Sequence, residues 1–248
     1  MTTDALTVEQ VSWHAGAVKI LDEVTLTVAP GEFVALIGPN GAGKTSLFNV
    51  VSGLYRPSHG RVLLGGADVT RLPPYRRAQR GLGRTFQTSA VFASLSVAEN
   101  VALAVQAHRG GSMRPWRRGT DRQIAAAAAE ILDRVHITNK TAIAGDLSHG
   151  QKRKLEIALL LAVDPAVLLL DEPMAGVSAE DVPALAEVIR GLTVGGRAVL
   201  MVEHHMEVVL DLADRVAVLH HGALLACDSP SSVMADATVQ QAYLGEEL

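Results

Sequence analysis

The chain has 248 residues, of which 48% are hydrophobic and 19% charged, and its formal net charge is -4. This balance fits a globular protein with a sizeable buried core and excludes a disordered chain. The mild acidity gives no reason to expect nucleic acid as the main partner. The single cysteine, Cys227, excludes an internal disulfide and suits a reducing compartment.

The apolar stretches are too interrupted to form a membrane span. The longest, ALLLAVDPAVLLL, is broken by Asp164 and Pro165. The N-terminal stretch MTTDALTVEQ lacks the basic and apolar regions of a signal peptide. We therefore expect a chain that carries no signal peptide and does not cross a membrane by itself.

Four segments are predicted strands. VTLTV at residues 24–28 alternates apolar and polar residues, as a strand with one solvated face does. FVALI at 33–37, AVLLL at 166–170 and AVLMV at 198–202 are continuous apolar runs. Such runs are typical of strands buried on both faces in a parallel sheet that helices cover.

Helical stretches separate these strands, among them TSLFNVVSGL and residues 182–192. The order strand, helix, strand predicts an α/β fold with right-handed crossovers. Residues 89–146 differ, because they hold the alanine-rich helix DRQIAAAAAEILDRV and no strong strand pattern. We interpret this region as a helical insertion in the sheet domain.

The segment GPNGAGKT follows one predicted strand and precedes a helix. It fits the phosphate-binding pattern Gly38-x-x-x-x-Gly43-Lys44-Thr45. Glycines allow backbone N–H groups to turn around an anion, and the next helix points its positive end at the same spot. Lys44 adds a charge against the β- and γ-phosphates, and the Thr45 hydroxyl can ligate Mg²⁺. The pattern predicts a nucleoside triphosphate site with Mg²⁺, formed by Gly38, Pro39, Asn40, Gly41, Ala42, Gly43, Lys44, Thr45 and Ser46.

A second candidate motif is VLLLDE, where a buried strand ends in two carboxylates. The carboxyl ends of strands are where ligands bind in open α/β sheets. Asp171 is predicted to hold the Mg²⁺ shell. Glu172, one residue farther out, is predicted to polarise the attacking water. These motifs alone still allow a kinase, a small GTPase or a motor.

The stretch LSHGQKRKLEIALLL helps to choose among these classes of nucleotide-binding protein. Ser148 is a predicted N-cap, and the helix that follows is predicted to bury Leu155, Ala158, Leu159 and Ala162 on one face. A free helix N-terminus next to a hydroxyl is again an anion site.

With this motif the sequence resembles the ATP-binding cassette (ABC) family, whose signature LSGGQ stands shortly before the second acidic motif. Here the motif reads LSHGQ, so His149 replaces the first glycine while Ser148, Gly150 and Gln151 remain for phosphate contact. The family sandwiches two ATP molecules between two cassettes arranged head to tail. The resemblance therefore implies ATP and Mg²⁺ as ligands and a dimer as the working form.

Other family landmarks follow in order along essentially the whole chain. Gln87 in RTFQ matches the glutamine that senses the metal and the attacking water, and His204 matches the switch histidine that touches the γ-phosphate. Ser178 stands where many cassettes have an aspartate. Ala15 occupies the position of the aromatic residue that stacks on adenine. Trp13, on the same face of a predicted strand, either replaces it or is simple packing.

The resemblance also implies an architecture. It predicts a P-loop NTPase with a parallel-sheet core, an N-terminal antiparallel β subdomain and an inserted α-helical subdomain. The predicted boundaries are 1–87 and 152–228 for the core with its antiparallel part, 88–151 for the helical subdomain with the signature, and 229–248 for a C-terminal helical tail.

The segments LFNVVSGLYRPSHG, GLGRTFQTSAVFASLSVAENV, GQKRKLEIALLL and AYLGE look like those of importers of branched-chain amino acids. Urea importers share SHGQK but usually differ just after the phosphate loop, where this chain reads SLFNVVSGLY. Importers of urea or short-chain amides are the alternative, and a cassette outside the importers is a further one. The resemblance implies a second cassette, identical or paralogous, and two integral-membrane permease subunits. It implies an extracytoplasmic solute-binding protein as an indirect partner. The chain is then expected at the cytoplasmic face of the membrane, as a peripheral subunit.

Overall fold

The computed structural model of the chain describes residues 3–85, 91–110 and 118–244. It divides into two units. The first unit comprises Met1–Arg84, Ala166–Pro173 and Leu192–Leu248, and the second comprises Thr85–Pro165 and Met174–Gly191.

The strands and helices are numbered in chain order. The strands are β1 (Leu6–Ala15), β2 (Val18–Val28), β3 (Phe33–Ile37), β4 (His59–Leu64), β5 (Ala67–Asp68), β6 (Leu82–Arg84), β7 (Val167–Asp171), β8 (Ala198–Val202), β9 (Arg215–His220) and β10 (Ala223–Asp228). The helices are α1 (Lys44–Ser52), α2 (Pro74–Ala78), α3 (Val97–His108), α4 (Arg118–Arg134), α5 (His149–Leu161), α6 (Val182–Arg190), α7 (Met206–Leu212), α8 (Pro230–Ala235) and α9 (Ala237–Leu244).

The first unit contains a six-stranded sheet in the order β10-β9-β3-β8-β7-β6. All neighbours are parallel except β9 and β10. Every residue of β3, β7 and β8 is buried, which confirms the prediction from their continuous apolar runs. Strands β3 and β8 have the predicted bounds, and β7 is displaced by one residue.

The same unit contains a four-stranded antiparallel sheet in the order β2-β1-β4-β5. The pairing is shifted near Gln10 and Glu23, which have φ angles of 46° and 49°. Gly60 lies opposite the first shift, where a Cβ would meet the Gln10 carbonyl oxygen at 2.3 Å. These local irregularities are β-bulges, which bend the sheet and are not visible as a sequence period.

The second unit is helical in the part of the chain that the structure describes. The alanine-rich helix predicted at 121–135 is α4, and the only pairing recorded there is one isolated bridge between Ser96 and Ile143. The unit runs past residue 151 and includes all of α5 and α6. A cut between 151 and 152 would divide α5, whose backbone hydrogen bonds make it one element.

Parallel strands determine where the site lies. The carboxyl ends of β3, β7 and β8 meet at one edge of the six-stranded sheet. The phosphate loop follows β3, the acidic pair lies at the end of β7, and the histidine pair follows β8 after Glu203. None of the helices in the described ranges has both the length and the apolar character that a bilayer span requires.

Candidate active site

The phosphate loop joins β3 to α1, and close packing requires the glycines at positions 38 and 43. A Cβ on Gly38 would lie 2.1 Å from the Leu219 carbonyl oxygen of β9. Gly43 is the N-cap of α1 at φ 104°, and no side chain caps the helix. The first N–H groups of α1 therefore lack a side-chain acceptor, which is the arrangement that binds phosphate.

Hydrogen bonds from the β9–β10 turn and from Lys44 stabilise the phosphate loop. The Gly222 N–H donates to the Ala42 carbonyl at 3.0 Å. Lys44 Nζ donates to the carbonyls of Gly38 and Pro39 at 2.5 and 2.9 Å. Burial lowers the pKa of Lys44, and the nearby charge of Glu172 opposes that shift. The lysine thus brings a partly desolvated cation to the phosphate loop.

The acidic pair ends β7 with two carboxylates in different surroundings. Asp171 is buried, whereas the side chain of Glu172 is 35% exposed. The Glu172 N–H donates to the Val202 carbonyl at 2.9 Å, and its φ of 48° is in the left-handed region. That conformation is unfavourable for a residue with a Cβ and is often found at functional sites.

Glu172 contacts the predicted switch histidine. His204 Nε2 and Glu172 Oε1 are 3.2 Å apart. The structure thus brings together Lys44, Asp171, Glu172 and His204, all within the first unit. A carboxylate and an imidazole at this distance can together orient a water and exchange a proton with it.

Glu203 holds the histidine loop, and the sequence did not single it out. Its buried carboxylate accepts from the backbone N–H groups of His204 and His205 at 2.9 and 3.3 Å. His205 Nδ1 also lies 2.7 Å from Glu203 Oε1. In the sequence, the one feature that could have indicated this role of Glu203 is its position directly before two histidines at a strand end.

Arg84 is a second residue that the sequence did not single out. Its Nη2 donates to Asp171 Oδ2 at 3.0 Å, and the Asp171 side chain is buried while that of Arg84 is partly buried. Its Nη1 donates to Asn49 and Ser52 of α1. No single-sequence pattern links Arg84 to Asp171, because the two residues are 87 positions apart.

The oxygen groups present fit Mg²⁺ bound together with a nucleotide. Mg²⁺ usually takes one or two protein carboxylates or hydroxyls and completes its shell with phosphate oxygens and water. Thr45 is exposed in the first turn of α1, and Asp171 ends β7. In the described ranges no group of three or more His, Cys, Asp or Glu side chains is arranged to hold a metal. The predicted metal ligand Gln87 lies outside the described residues.

The signature motif lies in the second unit, at the start of α5. Ser148 is its N-cap as predicted, and its Oγ accepts from the Gln151 N–H at 3.2 Å. Gln151 Oε1 in turn accepts from the Ser148 N–H at 3.3 Å. An accepting hydroxyl keeps its own hydrogen for donation, so the exposed Ser148 can still bind a phosphate oxygen.

The two central positions of LSHGQ have different requirements. His149 has no positive φ, so the backbone does not need a glycine there. Gly150 needs its small size, because a Cβ would lie 2.7 Å from the Asp181 carboxylate. On the helix itself Leu155 and Ala158 are fully buried and Ala162 is nearly so, whereas Leu159 is only half-buried.

Trp13 is engaged in packing in this structure. Its ring stacks on Tyr55 with a centroid distance of 4.5 Å and an interplanar angle of 6°. It also packs against the core of the first unit. These contacts favour the packing alternative, and an adenine-stacking role for Trp13 stays a prediction.

Comparison with known proteins identifies the family. Residues 21–175 match the ABC transporter family profile. A probable ABC transporter ATP-binding protein of Azorhizobium caulinodans is 38% identical over 94% of this chain and 80% of its own length. The lipopolysaccharide export ATP-binding protein LptB of Haemophilus influenzae is 36% identical over 98% of both chains. The branched-chain amino acid transport ATP-binding protein BraF of Pseudomonas aeruginosa is 34% identical over 99% of this chain and 100% of its own.

Solved structures agree with the sequence relatives. A nucleotide-free ABC cassette covers 98% of this chain with a TM-score of 0.85 and 28% identity. A cassette in its ADP conformation covers 99% with a TM-score of 0.86 and 28% identity. This likeness confirms the predicted α/β P-loop NTPase fold. The chain belongs to the ABC transporter family, as an ATP-binding subunit that hydrolyses ATP to drive transport.

Proposed function

We propose that Glu172 and His204 act on the water and the γ-phosphate during hydrolysis. The 3.2 Å contact between them at the sheet edge is the observation that carries this proposal. The N–H groups of the phosphate loop and Lys44 bind the β- and γ-phosphates, and Glu172 accepts the proton of the attacking water. Alignment and charge stabilisation supply most of the catalysis.

Thr45 and Asp171 are the residues that would hold Mg²⁺, with Gln87 as a further ligand implied by the family pattern. When bound, Mg²⁺ neutralises the negative charge that the phosphate oxygens carry. The oxygen donors of Thr45 and Asp171 and their positions after β3 and β7 support this assignment.

The working form that we propose is a head-to-tail dimer of cassettes. Ser148, Gly150 and Gln151 of one copy would contact the γ-phosphate held by Lys44 of the other. The exposed hydroxyl and the N-terminus of α5 support this role, because both can donate to an anion. Two-fold symmetry then gives two equivalent ATP sites per dimer.

Replacing Glu172 by glutamine tests this mechanism. Glu172→Gln keeps the size of the side chain but removes the base, so ATP should bind and persist in a closed dimer. Light scattering with ATP and Mg²⁺ should report twice the monomer mass, and turnover should fall about 100-fold. Glu130→Gln, on the surface of α4, is the matched control and should behave as the parent chain. A monomeric Glu172→Gln with undiminished turnover would contradict the base assignment.

We further propose that the chain energises import of a small polar solute, most closely branched-chain amino acids. It would act at the cytoplasmic face of the membrane with two permease subunits, and indirectly with an extracytoplasmic solute-binding protein. BraF, which supports this assignment, aligns with the chain along its full length. Nucleic acid is not an expected partner, given the net charge of -4.

LptB defines the competing function, because it is as similar to this chain as BraF is. Co-purification with the membrane subunits, followed by ATPase assays in liposomes, separates the two. Stimulation by leucine or valine with a solute-binding protein supports the importer. Stimulation by urea or a short amide moves the substrate to the alternative import class. Stimulation by lipopolysaccharide instead would overturn the import assignment.

A further inference from the structure

Arg84 ends strand β6, at the carboxyl edge of the six-stranded sheet where the proposed chemistry occurs. Its backbone pairs with Leu169 of β7, two residues before Asp171. The side chain is only 9% exposed. The hydrolysis mechanism proposed above assigns it no role.

The guanidinium of Arg84 joins two parts of the site. Its Nη2 donates to Asp171 Oδ2 at 3.0 Å, and its Nη1 donates to Asn49 Oδ1 at 2.7 Å and Ser52 Oγ at 2.8 Å. Its central carbon lies 5.7 Å from the centre of the Phe48 ring. Asn49, Ser52 and Phe48 all belong to α1, the helix that begins at the phosphate loop.

The burial of this ion pair argues for a geometric role. Asp171 is 1% exposed at its side chain, so both charges lose most of their hydration. A buried ion pair contributes little net stability compared with an apolar pair of the same shape, but it fixes the positions of its members. The planar fork of an arginine can bind partners in two directions at once, which a lysine ammonium on a flexible stem does less well.

We propose that Arg84 is a positioning residue for ATP hydrolysis. By binding Asp171 on one side and α1 on the other, it fixes the carboxylate that would hold the Mg²⁺ shell relative to the phosphate loop. This inference rests on the proposed role of Asp171. It adds a residue that contacts neither the nucleotide nor the water and acts only through Asp171.

Arg84→Met in the purified full chain is the principal test. Titration with a fluorescent ATP analogue in EDTA should give the parental affinity, because the phosphate loop is unchanged. The gain in affinity on adding Mg²⁺ should be largely lost, and the Mg²⁺ concentration for half-maximal turnover should rise about tenfold. When Mg²⁺ is raised until turnover of the variant saturates, KM for ATP should return close to the parental value while kcat stays about tenfold lower.

Two further variants keep the test decisive if Arg84→Met does not fold. Arg84→Lys retains a charge beside Asp171 but loses the second arm, so it should respond to Mg²⁺ between the parent and Arg84→Met. The double variant Asn49→Ala, Ser52→Ala leaves the ion pair but removes the hydrogen bonds of Arg84 to α1, and should shift in the same direction. Parental Mg²⁺ responses in both would overturn the proposal.

Two controls show whether the effect is specific to Arg84 and whether Asp171 has the role assumed for it. Arg215→Met removes another arginine of the first unit, which pairs with Glu32 and does not bind Asp171, and should keep the parental Mg²⁺ response. An equal shift in Arg215→Met would overturn the specific role of Arg84. Asp171→Asn should lose the Mg²⁺ response. If it keeps that response, the proposed function of Asp171 fails. If Asp171→Asn loses the Mg²⁺ response but Arg84→Met keeps it, the proposal for Arg84 fails and the role of Asp171 stands.

Discussion

At the scale of single residues, the surroundings of a side chain decide its role more than its type does. Arg76 and Arg77 are neighbours in RLPPYRRAQR, yet the first is exposed and the second is 1% exposed. Arg77 donates to the carbonyls of Val50 and Val51 at the end of α1, at 2.7 and 2.6 Å. Burial lowers the pKa of Arg77 to about 10, although the charge of Asp68 opposes the shift.

Arg77→Met should destabilise the chain strongly. The guanidinium also donates to the carbonyls of Thr70 and Leu72, so its removal takes a donor from four buried or partly buried carbonyls. Of these, the Val50 carbonyl keeps the Gly53 N–H as a donor. We expect a loss of about 3 kcal/mol. That loss lowers Tm by roughly 6–12 °C in a chain of this size, as measured by circular dichroism.

Arg76→Met is the matched control for this prediction. Its guanidinium lies 5.5 Å from the centre of the Tyr75 ring at the surface, a contact worth about 0.5 kcal/mol. Its Tm should stay close to that of the parent chain. Equal shifts in the two variants would mean that the buried hydrogen bonds of Arg77 do not hold the end of α1.

At the scale of elements, two helices begin with the same capping motif, but only one of these helix starts has a proposed role in binding ATP. Ser96 caps α3 and Ser148 caps α5, each in a capping box with the residue three positions later. Ser96 Oγ accepts from the Glu99 N–H at 3.2 Å, the same distance as in the Ser148–Gln151 pair. The helix starts are structurally alike, so any functional difference arises from what each end can bind.

Ser148→Ala and Ser96→Ala should therefore separate capping from catalysis. Each loses one N-cap acceptor, and each should lower the free energy of unfolding by about 1 kcal/mol. Only Ser148→Ala should also lower the ATPase rate, by about 100-fold, because it removes a proposed donor to the γ-phosphate. If Ser96→Ala lowers the rate as much, the loss reflects weakened helices and the phosphate contact of Ser148 is wrong.

At the scale of the whole molecule, the residues proposed to act on ATP belong to two different units of the chain. Lys44, Asp171, Glu172 and His204 belong to the first unit, and the signature belongs to the second. In the proposed head-to-tail dimer, each nucleotide meets the first unit of one copy and the second unit of the other. A defect in either half can then be compensated by a partner chain with the opposite defect.

Mixing two inactive variants tests this arrangement. Lys44→Ala lacks the phosphate-loop charge and Ser148→Ala lacks the signature hydroxyl, so each alone should be nearly inactive. A dimer of one with the other contains one intact site. An equimolar mixture should recover roughly a quarter of the parental ATPase rate, because half of the dimers are mixed and each has one working site. The individual variants at the same total concentration are the controls, and a mixture no more active than they are would contradict a shared site.

The sequence by itself determined the features that depend on neighbours in the chain. The phosphate loop, the buried strands β3, β7 and β8, the acidic pair after β7 and the cap of α5 all follow from short-range spacing, because backbone conformation and helix ends are set within a few residues. The tertiary structure decided what distant residues do to one another. It bound Arg84 to Asp171, set Asp181 against Gly150 and stacked Trp13 on Tyr55. Such contacts depend on how the folded elements pack against one another. The hydrophobic pattern of the sequence predicts the elements but not which distant side chains will be in contact.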